Sequence, residues 1–195
     1  MKCSWKCCVL ILAVTITAVA VRVPRLRQRP MHCDEAVNAV KFGQLLETGS
    51  YKYDPHEYHG PTLNYFTLPA ACISSAKNFS DVTETDLRIV PVVFGILLVV
   101  LVFLLADGLG WPATIFAALL TAVSAAFVFY SRYYIHEMLL VCFSFGVIAC
   151  LWRLARSSRI IWALLAGVFT GLAACTKETF VISFVSMANT WLVII

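Results

Sequence analysis

The feature that most constrains this chain is a series of long apolar runs separated by short polar segments. The runs cover residues 7–21, 89–106, 111–130, 138–152 and 160–195. A helix needs roughly 20 apolar residues to cross the hydrocarbon core of a bilayer, and helices satisfy their own backbone hydrogen bonds there. With 61% hydrophobic and 13% charged residues, the chain differs from soluble domains, which are about a quarter charged. The sequence therefore predicts an all-α, polytopic transmembrane helix bundle.

The positions of the spans follow from these runs. The last run is too long for one helix, and Thr-Lys-Glu at 176–178 interrupts it. We therefore predict a single transmembrane domain over residues 1–195 with spans at about 7–22, 89–106, 111–130, 138–152, 160–175 and 179–195. Because the chain ends within an apolar run, we expect an N-terminal part of a longer protein.

The first run is short for a span. Lys6 and Arg22 border it, and both can extend their charged groups outward to the interface. Ala-Val-Ala at 18–20 also resembles the cleavage site of a signal peptide, which is the alternative interpretation. We favour an uncleaved anchor, because four further apolar runs follow.

One long polar loop, residues 23–88, follows the first span. Two segments in it have helical patterns: 34–48, which ends before Gly49, and 61–77, which has Pro61 at its first position. Both carry apolar faces, but neither is long or apolar enough to cross a membrane. We expect interfacial helices that lie along the membrane surface in an external loop.

The charges and the cysteines exclude several classes of protein. The net charge is +4, and no basic patch with interleaved aromatic residues predicts nucleic-acid binding. The basic residues lie mostly between spans, where they suit lipid headgroups or phosphorylated ligands. Most of the eight cysteines lie in apolar runs and act as small hydrophobic residues. Cys33 and Cys72 share the polar loop, so a disulfide between them is a candidate, while no CxxC pair predicts structural zinc.

Charge counting does not decide the orientation of the bundle. Basic residues at 2–6 and 153–159 favour a cytoplasmic N-terminus, whereas those at 22–29 favour the opposite. With a cytoplasmic N-terminus, the first loop and the segments 131–137 and 176–178 all lie outside. Ionisable groups at membrane depth are costly, so this gathering of charges on one face predicts a functional site.

Acidic residues on that face are the candidates for catalysis. We expect Asp34 to cap the helix 34–48, with Glu35 in its first turn. A carboxylate held at a membrane interface can also act as a general base toward a hydroxyl acceptor. Glu137 begins a span, where an acid suits the helix dipole, and it can instead position an acceptor or a divalent ion.

Basic residues on the same face are candidates for binding. Arg132 and Lys177 can each bind a phosphate, although Lys177 has Glu178 beside it as a partner. His56 and His59 have a spacing that binds metal on a helix, but the prolines and glycines around them predict a loop. Metal binding by these histidines stays open as an alternative to simple solvation.

Four segments in a fixed order carry a resemblance to a known family. They read HCDEAVNAVKFGQLLETGSYKYDPHEYHGPTLNYFTLPA, DLRIVPVVFG, FVFYSRYYIHEMLL and GLAACTKETF. This order resembles the GT-C superfamily of glycosyltransferases that use lipid-linked sugars. It is most similar to the dolichyl-phosphate-mannose protein mannosyltransferase-like branch, and within it to an archaeal and bacterial subfamily linked to N-glycosylation and to a flippase-associated role.

The resemblance implies a GT-C-type bundle in a prokaryotic plasma membrane, with its active face extracytoplasmic. It implies inverting transfer of a sugar, with mannose as a candidate, from a polyprenyl- or dolichyl-phosphate donor to a hydroxyl acceptor. The acid after the first span is the base in this family, which implies that role for Asp34, with Glu35 as its neighbour and Glu137 as a second acidic position. The residues expected to bind substrate are Arg29, His59, Arg88, Arg132, His136 and Lys177.

Several points stay open at this stage. The expected partners are the lipid-linked donor and membrane lipids, without nucleic acid, and the acceptor can be a glycan, a lipid or a protein. No cofactor is implied with certainty, and a divalent metal ion is the one candidate. A non-catalytic component that assists flipping of lipid-linked sugars is the main alternative. A transporter fragment fits less well, because transporters place their ionisable groups at the membrane midplane.

Overall fold

A computed structural model describes residues 5–54, 56 and 59–194, with side chains described up to residue 190. The helices are α1 (Trp5–Arg22), α2 (Cys33–Thr48), α3 (Thr62–Ile73), α4 (Glu84–Val102), α5 (Ala106–Leu109), α6 (Trp111–Val123), α7 (Ala125–Ser131), α8 (Glu137–Ser157), α9 (Ile160–Ala174) and α10 (Phe180–Ile194). Short 3₁₀ turns lie at Phe79–Asp81 and Phe103–Leu105. These described residues form no β-sheet, which confirms the all-α class.

Each predicted span coincides with a helix or a pair of helices. Among the described residues, α1, the continuous segment Glu84–Leu109 and α8 are long and apolar enough to cross a membrane. The pair α6 and α7 makes a fourth span if its bend of 56° lies within one crossing. The chain is therefore a multi-pass membrane protein. Helices α9 and α10 are each 15 residues long, so the arrangement of six spans stays a prediction.

The bend between α6 and α7 is stabilised by a buried arginine. Ser124 leaves the helical conformation there, which frees carbonyl groups in the last turn of α6. The Arg22 guanidinium fills this gap and donates to the Ala122 oxygen at 2.7 Å and to the Thr121 oxygen at 3.1 Å. Its Nε also donates to Ser131 Oγ at 3.1 Å. The Ala18 oxygen is a fourth acceptor for the guanidinium. The expectation that Arg22 extends outward to the interface is therefore wrong. Carbonyl groups without a partner in lipid are unfavourable, and a cation that faces inward is tolerated when it has four acceptors.

Small side chains let the outer helices approach the centre of the bundle. Ala18 of α1 packs against Ala118 and Ala122 of α6 in a cluster that also contains Val99 of α4. Close packing between small residues is a main source of helix association in membranes. Gly95 of α4 continues this contact, since a Cβ at this position would overlap the side chain of Ser131.

Helix α2 begins one residue before the predicted start, and its N-cap is not Asp34. The backbone of His32 is extended, its ring accepts a hydrogen bond from the Asp34 amide at 3.3 Å, and the Glu35 carboxylate accepts one from the His32 amide at 3.2 Å. This reciprocal pair is a capping box. The prediction that Asp34 caps the helix is therefore wrong, because His32 takes that role. Gly49 ends the helix with a φ of 71°, as predicted.

Candidate active site

A buried carboxylate, Glu35, ties α2 to the rest of the bundle. Its two oxygens accept hydrogen bonds from Arg88 Nε and Nη2, both at 2.9 Å, and from the Tyr134 amide at 2.9 Å. Arg29 Nη2 at 3.0 Å and the His32 amide at 3.2 Å complete the set. Burial by itself raises the pKa of Glu35, but the bonds from Arg88 and from the two amides lower it, and the net pKa lies below its ordinary value. Glu35 is therefore an ionised structural group.

Arg88 is the partner that makes this burial tolerable. Its side chain is buried, and beyond Glu35 it donates to the carbonyl oxygens of Leu26, Arg29 and Pro30. A guanidinium has five N–H groups, and all of them are engaged. Arg88 therefore holds the segment after α1 against α2, and it has no donor left for the substrate phosphate that the sequence suggested for it.

Asp34 has the opposite environment from its neighbour. Successive residues of a helix point about 100° apart, so burying Glu35 turns Asp34 outward, and its side chain is 68% exposed. The ring of His32 lies beside it, with Nδ1 3.5 Å from Oδ2. The tandem acids thus divide into one group that supports the fold and one that is accessible to a ligand.

Asp34 faces a cavity of about 450 Å³ in which four separate parts of the sequence meet. The lining residues come from α2, from the loop before α3, from the start of α8 and from the turn after α9: Asp34, Val37, Asn38, His59, Ile135, His136, Glu137 and Lys177. The cavity therefore contains two carboxylates, one ammonium group and two imidazoles. Five of these eight residues are candidates from the sequence, and the structure brings them together.

The wall opposite α2 carries an ion pair. Lys177 Nζ lies 2.8 Å from Glu137 Oε1, so the start of α8 is linked to the turn between α9 and α10. The sequence left open a pairing of Lys177 with its neighbour Glu178. In the structure Glu178 instead accepts a hydrogen bond from the Tyr53 hydroxyl at 2.6 Å. Lys177 is therefore directed toward the cavity by Glu137.

Backbone contacts fix the position of this wall. An isolated antiparallel bridge joins His59 to Lys177, the Gly60 amide donates to the Thr176 oxygen at 2.9 Å, and the Thr62 hydroxyl donates to that of Thr176 at 2.8 Å. A Cβ on Gly60 would overlap the carbonyl of Cys175. Only glycine permits this close approach of the two backbone segments. The approach places His59 and Lys177 side by side.

Two stacked imidazoles form the floor of the cavity. The rings of His59 and His136 lie 4.6 Å apart and are inclined by 16°. Burial lowers the pKa of His136 to about 3, with a smaller contribution from His59, so the ring is neutral at physiological pH. Its Nε2 lies 3.2 Å from the Gly60 oxygen and must carry the proton to bond it. Nδ1 is then an acceptor, and within the described part of the chain no group donates to it.

Two further arginines surround a smaller cavity of about 120 Å³, lined by Leu26, Arg29, Arg88, Phe129 and Arg132. The Arg29 guanidinium lies over the ring of Tyr133, 4.5 Å from its centroid, and also donates to the Arg132 oxygen at 3.3 Å. Arg132 in turn donates to the carbonyl of Val21 at 3.2 Å. Both cations stand beside the Glu35 network, but they do not line the Asp34 cavity.

Among the described residues, one group of three metal-type ligands lies close together: His32, Cys33 and Asp34, with their ligand atoms within 4.8 Å of one another. All three are exposed, and His32 Nδ1 already accepts from the Asp34 amide. We assign no step to a metal here. His56 and His59, for which the sequence left metal binding open, are not members of this group. Cys33 and Cys72 are free thiols rather than a disulfide.

Sequence reasoning missed two polar residues, one that lines the cavity and one that supports it. Asn38 lines the cavity and donates to the Tyr134 oxygen at 3.2 Å, and its position four residues after Asp34 on the same helix face was the available signal. Tyr134 is fully buried and bonds Thr67 at 2.9 Å. Its role in holding the segment 132–136 could not be read from the sequence, because its partners are distant in the chain.

Comparison with known proteins gives one match. Residues 12–195 match the sequence model of a family described as dolichyl-phosphate-mannose-protein mannosyltransferase. Searches of curated proteins and of solved structures found no match. The family match covers nearly the whole chain, including every residue of the cavity.

Proposed function

The chain belongs to the dolichyl-phosphate-mannose-protein mannosyltransferase family, and we propose that the Asp34 cavity is where it transfers the sugar. Members of this family are membrane glycosyltransferases that use dolichyl-phosphate-mannose as donor, so the chain is a glycosyltransferase of the mannosyltransferase type. The finer assignment is part of the proposal: a prokaryotic enzyme of the N-glycosylation-linked subfamily, which takes mannose from a polyprenyl- or dolichyl-phosphate and passes it to a hydroxyl acceptor.

The single observation that supports this site is that the Asp34 carboxylate is accessible, whereas the hydrogen-bonding capacity of the neighbouring Glu35 is filled by the protein. A general base needs an oxygen that can reach the acceptor hydroxyl. Asp34 lines the cavity with an exposed carboxylate, whereas both Glu35 oxygens are occupied by the protein. Glu137 also lines the cavity, but its pairing with Lys177 at 2.8 Å suits a positioning role.

The reaction assigned to the cavity is one displacement. The acceptor oxygen attacks the anomeric carbon, its proton moves to Asp34, and the bond from that carbon to the phosphate oxygen breaks. The lipid phosphate leaves with the bonding electrons, so the sugar is inverted. The growing charge on the phosphate requires a cation near the leaving oxygen. Lys177 is the cation that lines this cavity, and Arg29 and Arg132 lie in the neighbouring one.

Replacing Asp34 in the full-length protein tests the assignment. Asp34→Asn removes the base and keeps the size of the side chain, so transfer from labelled lipid-linked mannose in membranes is expected to fall by about 10²–10⁴-fold. Glu84→Gln is the matched control, because Glu84 lies in the first turn of α4 outside the cavity. Unchanged transfer by Asp34→Asn would remove Asp34 as the base. Wild-type protein that transfers no sugar but speeds flipping of the donor would favour the non-catalytic alternative.

The orientation of the bundle is part of the same proposal. We place the cavity on the extracytoplasmic face of a prokaryotic plasma membrane, because a lipid-linked donor is expected there. Cys33 offers an exposed thiol next to Asp34. A membrane-impermeant thiol reagent is expected to label Cys33 in intact cells, with Cys33→Ser as the control. Labelling only after permeabilisation would place the site in the cytoplasm.

A further inference from the structure

A second polar cluster lies at the end of the bundle opposite Asp34. Helix α8 starts at the active site and continues for 21 residues, about 30 Å at 1.5 Å per residue. Near its far end, Arg153 Nη1 lies 2.9 Å from Asp107 Oδ2, and Trp152 Nε1 donates to Asp107 Oδ1 at 2.9 Å. Arg156 Nε lies 3.8 Å from the same carboxylate. Two arginines therefore face one acid, and the cluster has a net positive charge.

A cavity of about 260 Å³ opens beside this cluster. It is lined by Phe103, Leu104, Ala106, Asp107, Trp111, Arg153 and Trp162. It combines an aromatic and aliphatic surface with one cation, Arg153, and one carboxylate, Asp107, and it shares no residue with the Asp34 cavity. The reaction assigned to Asp34 makes no use of it.

Three polar atoms of these lining residues have no hydrogen-bond partner in the described part of the chain: Trp111 Nε1, Trp162 Nε1 and Arg153 Nε. All three are donors and none can accept. A buried donor without a partner is energetically unfavourable, so three around one cavity indicate a bound acceptor. Asp107 does not supply it: its oxygens accept from Trp152 Nε1 and Arg153 Nη1, and none of the three unpartnered donors bonds to them.

The surroundings indicate what kind of acceptor this is. The Arg153 guanidinium lies 5.5 Å from the centroid of the Trp162 ring, and tryptophans at the ends of spans are typical of the headgroup region. An acceptor that is anionic and also fits against Phe103 and Leu104 combines a charged group with an apolar part. In the orientation that places Asp34 outside, this end meets the cytoplasmic leaflet, which carries the anionic lipids.

We propose that this cavity binds the phosphate group of an anionic phospholipid, with the Trp111 and Trp162 indole N–H groups and Arg153 Nε as the donors. The phosphodiester oxygens accept the three hydrogen bonds, and the acyl chains continue along Phe103 and Leu104. The assignment to the cytoplasmic leaflet rests on the orientation given under the proposed function, whereas the three donors do not depend on the reaction at the other end of the bundle.

The test measures binding of defined lipids to the full-length protein purified in a nonionic detergent. Native mass spectrometry counts bound phosphatidylglycerol, and a thermal shift reports stabilisation. Diacylglycerol, which lacks the phosphate, and inorganic phosphate, which lacks the chains, separate the two parts of the ligand. We expect phosphatidylglycerol to bind and to raise the melting temperature, and both partial ligands to have little effect.

Variants assign the binding to this cavity. The double variant Trp111→Phe, Trp162→Phe removes two N–H donors and keeps aromatic side chains, so phosphatidylglycerol is expected to bind about tenfold more weakly. Trp5→Phe is the matched control, because Trp5 is 73% exposed and does not line the cavity. Should the double variant fold poorly, Arg153→Lys keeps the charge, loses Nε–H and is expected to weaken binding about threefold.

Three results would overturn the proposal. Wild-type affinity for phosphatidylglycerol in both the double variant and Arg153→Lys would show that these donors do not bind the phosphate. Equal stabilisation by diacylglycerol would show that the phosphate is not recognised. Stabilisation by inorganic phosphate as large as that by phosphatidylglycerol would identify a free anion, rather than a lipid, as the ligand.

Discussion

Glu35→Gln is expected to destabilise the fold rather than to remove a reacting group. The substitution changes only the charge and one oxygen of a side chain that is fully buried. It leaves the Arg88 guanidinium, which is also buried, without a counter-ion. It further replaces an acceptor by an NH₂ group that faces donors, since both oxygens of Glu35 receive hydrogen bonds.

The magnitude follows from this geometry. Removing one partner of a buried ion pair costs about 3–5 kcal/mol, because the other charge stays buried and uncompensated. Asp34→Asn, one residue away, is expected to change the free energy of unfolding by less than about 0.5 kcal/mol, since its side chain is 68% exposed. We therefore expect different effects from the two neighbouring acids: substitution of Glu35 lowers stability, and substitution of Asp34 lowers turnover.

Unfolding of the purified protein in detergent micelles, followed by circular dichroism, measures both variants. The double variant Glu35→Gln, Arg88→Gln is expected to cost clearly less than the sum of the two single variants, because the pair is removed as a unit. A Glu35→Gln protein as stable as wild type would refute the reasoning. So would additivity of the two single substitutions.

The pH dependence of stability gives a second check. The folded-state pKa of Glu35 lies below its ordinary value, so the folded state holds its proton more weakly than the unfolded state does. The stabilisation is therefore complete above the unfolded pKa of about 4.3 and is lost as the pH falls toward the folded pKa. Wild type should lose stability below this pH more steeply than Glu35→Gln, and parallel curves for the two proteins would contradict the assignment.

Three further predictions concern the cavity and the bend between α6 and α7. Gly60→Ala introduces a Cβ that overlaps the carbonyl of Cys175, so we expect a loss of about 1–3 kcal/mol in stability together with reduced transfer, and unchanged melting would contradict the close approach. The pH–rate profile between pH 5 and 8 should show no ionisation of His136, whose pKa is about 3; a step near pH 6 that vanishes in His136→Gln would disprove this. Arg22→Leu should lower the melting temperature more than Arg27→Leu, because Arg22 alone of the two bonds the carbonyls Thr121 and Ala122 at the bend, and equal effects would argue against that role.

Much of the fold could be predicted because its signals are local. Each apolar run marks a helix, and Gly49 ends α2 where a left-handed residue is required. The break at Ser124 was not predicted, since 111–130 is an apolar run that contains no charged residue and the guanidinium that stabilises the bend lies about 100 residues away in the chain. Local patterns carry no information on such a distant partner.

The candidate site, like the fold, has features that the sequence predicts and features that only the tertiary structure shows. The amino-acid sequence by itself determined which segments carry the charges, and that Asp34, Glu35, Glu137 and Lys177 lie at the ends of helices. It could not distinguish the two tandem acids, because both suit the first turn of a helix. Only the tertiary structure decided that Arg88 and the Tyr134 amide enclose Glu35 while Asp34 faces the cavity with Lys177. The physical reason is that a buried charge must find its partners, and those partners come from α4 and from the segment before α8, which only folding brings to α2.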